Sequence, residues 1–584
     1  MADPDVIARA SAPEPNYGFV DSRRLTGPNR YFAGPAATLT PLGDAAADPV
    51  ALEAWAARVR AVSSALGWPD PMPLIERRAT GTSLIFRAPQ DAQLTATELS
   101  EWAWERAAME AGESAFDLAQ DLGENPAAVL AARAAAERLA ELDTLRSAAA
   151  RHRVPLFEDD DEISIGAGAG SRRWPRDALP MEVAVPWSAL HDVPTALVTG
   201  SNGKTTTVRL LAAMAAAAGL TPGYCCTEGV FIGGQAVALG DYSGPDGARA
   251  VLRHPDVRFA VLETARGGIL RRGLAVQRAD VAVITNVRAD HFGEYGIENA
   301  DDLAETKLIV ARAVCRGGTL VLNADDSTLM AAATRLPHAA AAHPALFAFA
   351  YDHPALAALR ARGGSTCAVR DGKLVLHHDG QECMLGDVVE LPLTLGGAAL
   401  YNVANLAAGA LAGTAIGLPL ASVVSTLQRF GANPLDNPGR LERWRHQGAL
   451  VLIDYAHNPD ALGQLLSTAR ALRPARLCLL LGQAGNRDDH AIAELARTAA
   501  RFAPDRVVIK ELPRMLRGRA PGEVPALIAR ALLGAGVAAE RIYAEPDEET
   551  AARTLLDAAR PGDVIVLPVH TREVREHLRA TLEA

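Results

Sequence analysis

Residues 195–206 read Thr-Ala-Leu-Val-Thr-Gly-Ser-Asn-Gly-Lys-Thr-Thr. An apolar β-type run enters a turn bracketed by Gly200 and Gly203, and Lys204, Thr205 and Thr206 open an alanine-rich helical stretch. Strand, glycine turn and helix in that order predict a cradle for a triphosphate. Glycine lets the backbone N–H groups of Gly200, Ser201, Asn202 and Gly203 approach phosphate oxygens, and the helix N-terminus adds the positive end of its dipole. Lys204 is expected to neutralise the β- and γ-phosphates and the Thr205 hydroxyl to ligate Mg²⁺, with Thr206 beside them in the nucleotide-binding set. The spacing departs from the common phosphate loop, which has a glycine five residues ahead of its Gly-Lys pair; Val198 stands at that position.

Outward from this loop the pattern alternates. Apolar β-runs at 195–199, 259–263, 281–285 and 319–323 are separated by helical stretches, and a second set follows at 449–453, 476–481, 506–510 and 563–567. Strands alternating with helices predict largely parallel sheets. The expected class is therefore α/β: a P-loop central domain with a mostly parallel sheet over 191–431, a Rossmann-like C-terminal domain over 432–584, and a small α+β N-terminal domain over 21–152. Residues 1–20 read as a flexible tail and 153–190 as a linker, with the acidic run Glu158–Glu162 a solvated surface. In the N-terminal part, helices are expected over 94–112 and 126–151, the second started by Asn125-Pro126.

Composition narrows the partners. Of 584 residues, 49% are hydrophobic and 22% charged, enough for sizeable cores. A net charge of −11 argues against a nucleic-acid partner, since no basic excess exists to displace counterions. No apolar run long enough to span a membrane is present, and residues 1–20 lack a basic-then-apolar signal, so a cytoplasmic location is expected. The six cysteines show no C-x-x-C spacing and read as incidental thiols.

Further residues carry chemistry. Glu263 ends the 259–263 run ahead of Thr264-Ala265-Arg266-Gly267-Gly268, at the sheet edge where open parallel sheets bind ligands, and is placed to bind Mg²⁺ beside Thr205. The next run ends Ile284-Thr285-Asn286 and leads to Asp290-His291, where His291 is a candidate second-metal ligand. Lys307 lies in a helical stretch, and composition alone reads it as a solvated charge. Asn323, Asn402 and Asn405 have the donor and acceptor pairs that adenine needs, although asparagines also cap helices. In the last domain Arg440 is a candidate for the γ-phosphate and Asp454 for ribose hydroxyls. His457 lies in the run Asp454-Tyr455-Ala456-His457-Asn458-Pro459.

Taken in order, T-G-S-N-G-K-T-T, Glu263, T-N…D-H, Lys307, N-A-D-D, N-x-x-N and D-Y-A-H-N-P resemble the Mur ligase superfamily, which uses the shortened G-x-x-G-K-T loop. Within it, G-D-Y-S-G-P and E-T-A-R-G-G-I-L-R-R-G-L are similar to the C-terminal ligase part of the cyanophycin-synthetase type. The run Arg23 to Asn29 (R-R-L-T-G-P-N) resembles the small N-terminal domain of that type. The resemblance implies ATP and Mg²⁺ as cofactors. It implies catalytic roles for Lys204, Glu263, His291 and Lys307, with Lys307 carbamylated and holding a second Mg²⁺ together with His291. The implied reaction activates a carboxylate of a small molecule, peptide or polymer as an acyl-phosphate and couples it to an amine, expected to be that of an amino acid.

Two departures qualify what is inherited. The ATP-grasp domain of that type has no counterpart, because only about forty residues separate the two similar regions, so full polymerisation by this chain alone is not expected. A metal-binding His-x-x-Glu-His helix found in some relatives is also missing; the matching helix reads Thr97-Glu98-Leu99-Ser100-Glu101-Trp102. The competing readings are a nucleotide-binding but non-ligating assembly partner of such a synthetase, and a simple P-loop ATPase. A homo-oligomer is left open.

Overall fold

Thr195–Thr199 is buried along its whole length because the strands Phe259–Glu263 and Ala279–Ile284 flank it in parallel. These three lie within an eleven-stranded sheet, seen in a computed structural model that describes residues 18–113, 122–288, 292 and 295–583. Seven strands run parallel, from Pro222–Cys226 at one side through Val314–Asn323 and His343–Ala350 to Thr366–Arg370. Antiparallel strands extend both edges, Gly229–Ile232 and Gln235–Leu239 on one side, Lys373–His378 and Gln381–Asp387 on the other. The hairpins were not among the expected elements.

Alternate residues of the central strands feed two cores, as the two-residue period requires. Val198, Val261 and Val283 face the helices Lys204–Ala217 and Tyr401–Ala415 through Leu210, Leu211, Met214 and Leu406. Leu197, Leu262 and Ile284 pack on the opposite face with Leu303 and Ile309. All seven parallel strands thus end on one edge, and the glycine turn lies there.

The C-terminal unit is a six-stranded sheet in which Glu442–His446 is antiparallel to Ala449–Asp454; the remaining neighbours are parallel. The N-terminal unit is a four-stranded antiparallel sheet under the helices Pro49–Ala65 and Gln93–Glu110, with Trp55, Phe86, Leu99 and Trp104 at its centre.

Two expectations are corrected. The single helix over 126–151 is two, Pro126–Glu137 and Ala140–His152, with extended backbone at Arg138 and Leu139. The halves serve different cores: Leu130 packs in the N-terminal core, while Leu142 and Leu145 pack with Ile163 and Ile165. The break also lets the Glu137 carboxylate accept from the N–H groups of Leu94 and Thr95, satisfying two open donors at a helix start. The stretch read as connection carries a three-stranded sheet, Leu156–Glu158, Glu162–Ile165 and Arg172–Pro175. Its acidic run is not simply solvated, since Asp159 and Glu162 both pair with the buried Arg253 and Glu158 pairs with Arg146. All six cysteines are free thiols. Among the described residues, no helix is long and apolar enough to cross a membrane.

Candidate nucleotide and metal site

Gly200 and Gly203 adopt φ of 147° and 87°, conformations that favour glycine, and neither has room for a side chain. A Cβ on Gly200 would strike the Thr285 hydroxyl, and one on Gly203 the Asn405 side chain. The loop is laced to the neighbouring strand end: Ser201 N–H donates to the Asn286 carbonyl at 2.9 Å and Asn202 N–H to Asn286 Oδ1 at 3.0 Å. Lys204 Nζ folds over the loop and donates to the carbonyls of Gly200 and Ser201 at 3.1 and 3.0 Å. The first N–H groups of the Lys204–Ala217 helix have no intrahelical acceptor and form its positive end.

Thr205 Oγ1 donates to Glu263 Oε2 at 2.8 Å. Glu263 is 1% exposed, and its other oxygen, Oε1, is buried without a hydrogen-bond partner. Burial raises its pKa above the ordinary carboxylate range, opposed by the charges of Lys204 and Arg440. A buried carboxylate with one orphaned oxygen beside a hydroxyl suits a hard divalent cation, which takes oxygen ligands and completes its shell with phosphates and water. Among the described residues no three His, Cys, Asp or Glu side chains form a ready-made metal cage. His291 lies outside the described residues.

Lys307 is the last residue of the helix Ala300–Lys307 and is 3% exposed, which overturns its reading as a solvated charge. An ammonium group is not buried to this degree without compensation.

Of the asparagines, Asn405 reaches the loop at Gly203 and donates to Asn402 Oδ1 at 2.8 Å, while Asn402 donates to the Leu393 carbonyl at 2.9 Å. Asn323 donates to the Thr285 carbonyl at 2.9 Å and accepts from the Asp325 N–H at 3.0 Å. Asn323 thus ties two strand ends together, while Asn402 and Asn405 fix the start of the Tyr401–Ala415 helix beside the loop.

The C-terminal unit reaches the same place. Arg440 Nη2 lies 3.4 Å from Thr205 Oγ1 and 3.2 Å from Thr227 Oγ1, its guanidinium 4.6 Å from the Tyr455 ring centre. Asp454 accepts from the Leu441 N–H at 2.7 Å, and burial raises its pKa. His457 Nδ1 is 3.1 Å from the Tyr455 carbonyl, an oxygen that only accepts, so Nδ1 carries the proton. Four residues to which the sequence reading gives no role also matter: Asn286, Asn458 and Asp460 at the loop, and Thr206's partner Asn437, which donates to its hydroxyl at 3.1 Å. Asn286 follows the strand Ala279–Ile284 on the ligand edge, a signal the sequence offered; the others are known only through contacts across more than two hundred residues.

The glycine-bracketed loop thus faces a buried acid and is met by residues of a second α/β unit. The Mur ligase middle domain matches residues 198–413, and the Mur ligase glutamate ligase domain matches residues 439–568. The cyanophycin synthetase of Synechocystis sp. is 34% identical over 442 residues, covering 73% of this chain and 49% of that protein. The UDP-N-acetylmuramoyl-L-alanyl-D-glutamate–2,6-diaminopimelate ligase of Xanthomonas campestris pv. campestris is 30% identical over 387 residues, covering 63% of this chain and 70% of that protein. A solved structure of E. coli FolC in complex with ADP aligns with a TM-score of 0.47 at 17% identity, covering 67% of this chain and 89% of that one. The chain belongs to the Mur ligase family. It spans about half the length of the cyanophycin synthetases it matches.

Proposed function

We propose that the chain activates a substrate carboxylate with ATP as an acyl-phosphate and couples it to an amine, that of an amino acid, releasing ADP and phosphate. The observation that carries this reading is the Thr205–Glu263 pair, a buried oxygen site next to a glycine-bracketed phosphate loop. Negative charge grows first on the transferring phosphoryl group and then on the tetrahedral oxyanion. Lys204 would stabilise both. Thr205 and Glu263 would hold a first Mg²⁺, and His291 with a carbamylated Lys307 a second. Bound there, Mg²⁺ would neutralise phosphate charge and polarise the reacting oxygens.

Arg440 brings a cation from the C-terminal unit to the same hydroxyl, which supports closure of that unit over bound nucleotide. Asn323, Asn402, Asn405, Asp454 and His457 complete the proposed nucleotide pocket. The substrates are a small molecule, peptide or polymer with a free carboxylate and an amino-acid amine. Incubation with ATP, Mg²⁺ and pooled amino acids or acidic peptides, with mass spectrometry of amide products, tests the reading. Amine-dependent ADP release is expected. Amine-independent turnover would make the protein an ATPase, and nucleotide binding without turnover an assembly partner.

A further inference from the structure

The stretch Arg23–Asn29 has no part in the site described above, yet it touches the helix that follows Glu263. Arg23 Nη1 donates to the Leu270 carbonyl at 2.6 Å, Thr26 N–H to the Arg272 carbonyl at 2.8 Å, and the Leu274 N–H to the Pro28 carbonyl at 2.8 Å. Gly27 lies so close to this joint that a Cβ would be driven into the Leu274 carbonyl oxygen. The helix Arg266–Arg272 thus has its C-terminal end tied to the N-terminal unit.

The next residues grip the second wall. Arg30 Nη2 donates to Asp302 Oδ1 at 3.1 Å and to Glu305 Oε2 at 3.2 Å, and Arg78 Nη1 to Asp302 Oδ1 at 2.6 Å. Glu76 binds Arg78 at 2.6 Å and accepts from the Tyr31 hydroxyl at 2.9 Å. One residue pair further along, Thr80 donates to Glu298 through its N–H and its hydroxyl, at 2.7 and 3.0 Å. Asp302 and Glu305 stand on the two-turn helix whose last residue is Lys307.

Exposed ion pairs contribute little, but the side chains of Arg30, Arg78 and Asp302 are only 10, 13 and 10% exposed, and they share one carboxylate in a network. Contacts that served only to hold two units together could fall anywhere on their interface. The Arg30–Arg78 network falls on the helix ending at Lys307, and the bonds from Arg23 and Thr26 fall on the helix following Glu263. We propose that Arg30 and Arg78 are positioning residues: the N-terminal unit braces the Lys307 helix against the helix Arg266–Arg272 that follows Glu263 and so sets the spacing of the divalent-metal site. The inference rests on the reading of Glu263 and Lys307 as metal ligands.

The test uses the full chain with Mn²⁺ and a non-hydrolysable ATP analogue, counting bound Mn²⁺ by electron paramagnetic resonance of the free ion. The wild type is expected to bind two Mn²⁺, one of them lost in Lys307→Ala. In Asp302→Asn, Arg78→Met and Gly27→Ala that same site should weaken by about 10–100-fold, the range for groups that orient metal ligands, with affinity for the analogue unchanged. Arg78→Lys should recover most of the loss. If Arg78→Met does not fold, Asp302→Asn carries the test, being isosteric and still able to accept from the Glu298 N–H. Wild-type Mn²⁺ binding in variants whose unfolding temperature has fallen would show that the contacts are adhesive only, and would overturn the inference. A wild type binding one Mn²⁺, insensitive to Lys307→Ala, would remove the metal reading itself and this inference with it.

Discussion

Asn458 Nδ2 donates to Asn202 Oδ1 at 3.0 Å, and Asn202 in turn donates through Nδ2 to Asp460 Oδ2 at 2.8 Å. The phosphate loop of one unit is thus held at its tip by the start of a helix in the other, where Asn458 also caps Pro459–Ala471 by accepting from the Ala461 N–H. Nucleotide bound in the loop as proposed would meet a surface that both units build, which would link the position of the C-terminal unit to the occupancy of the loop.

Lys204→Ala should lower nucleotide-dependent turnover by more than about tenfold, the scale expected for a group that stabilises transition-state charge. Among the described residues its ammonium donates to two loop carbonyls alone, so the unfolding temperature should fall little. Steady-state ADP release alongside a thermal melt checks both. Turnover above a tenth of wild type would sink the loop's proposed role.

Glu263→Gln should weaken the Mg²⁺ dependence, since a neutral amide is a poor ligand for a hard dication. The metal-free variant should be no less stable than wild type at neutral pH. Because the folded pKa of Glu263 is raised, its favourable contribution is complete only below the ordinary carboxylate pKa and is lost as pH rises through the raised value. Gln removes that loss. Melts with and without Mg²⁺ from pH 4 upward check the prediction, and an unchanged Mg²⁺ titration would place the metal elsewhere.

Lys307→Ala should lose ligation almost completely, with partial recovery on adding short carboxylates or bicarbonate, which can occupy the vacated ligand position. A solvated lysine would have cost at most about half a kcal/mol and no activity. Wild-type rates in the variant would move the protein toward the non-ligating reading.

Glu228→Ala should loosen the C-terminal unit. Both Glu228 oxygens accept from Arg575 Nη2, at 2.6 and 2.5 Å, and the Arg575 side chain is 2% exposed. Removing one partner of a buried pair costs about 3–5 kcal/mol, because the other charge stays buried. Denaturant unfolding measures the loss, and a change below 1 kcal/mol would show that the pair is solvated in solution.

Acid should attack the C-terminal unit first. Burial and the adjacent Lys510 charge push His570 down to about 3, while Lys510 holds Glu548 well below the usual carboxylate range. Both folded pKa values are depressed, so both contributions are present above the unfolded values and are lost as pH falls. For His570 the loss begins near pH 6.5 and grows by roughly 1.4 kcal/mol per pH unit down to its folded value. A His570→Gln variant should show a flatter stability curve between pH 6.5 and 4; an identical slope would show that His570 does not drive the loss.

The legible part of the fold is the part written in local period. The alternation around Thr195–Thr199 and the glycines of its turn announce strand, loop and parallel sheet before any contact is known. Glu263 is legible for the same reason, as an acid ending an apolar run. Lys307 is not, because its helix packs Leu303 and Ala304 into the central core while Asp302 and Glu305 meet the N-terminal unit, and burial from both sides leaves no trace in eight residues. The Arg30–Asp302 pairing spans 272 positions and has no local signature. The break at Arg138 was hidden by uniformly good helix formers on both sides, and competition between two cores decided it.

The order of strands in the large sheet also dictates how the chain must acquire its structure. Thr195–Thr199 pairs on both sides with strands that end only at Glu263 and Ile284, and the Tyr401–Ala415 helix that covers one face comes later still. During synthesis the phosphate-loop strand therefore waits with both edges unpaired while well over half of its sheet is still unmade. Non-local parallel pairing of this kind is slow and exposes apolar edges to other chains. Refolding yield should thus depend steeply on protein concentration, and nascent chains halted before Ile284 should be the species that chaperones retain.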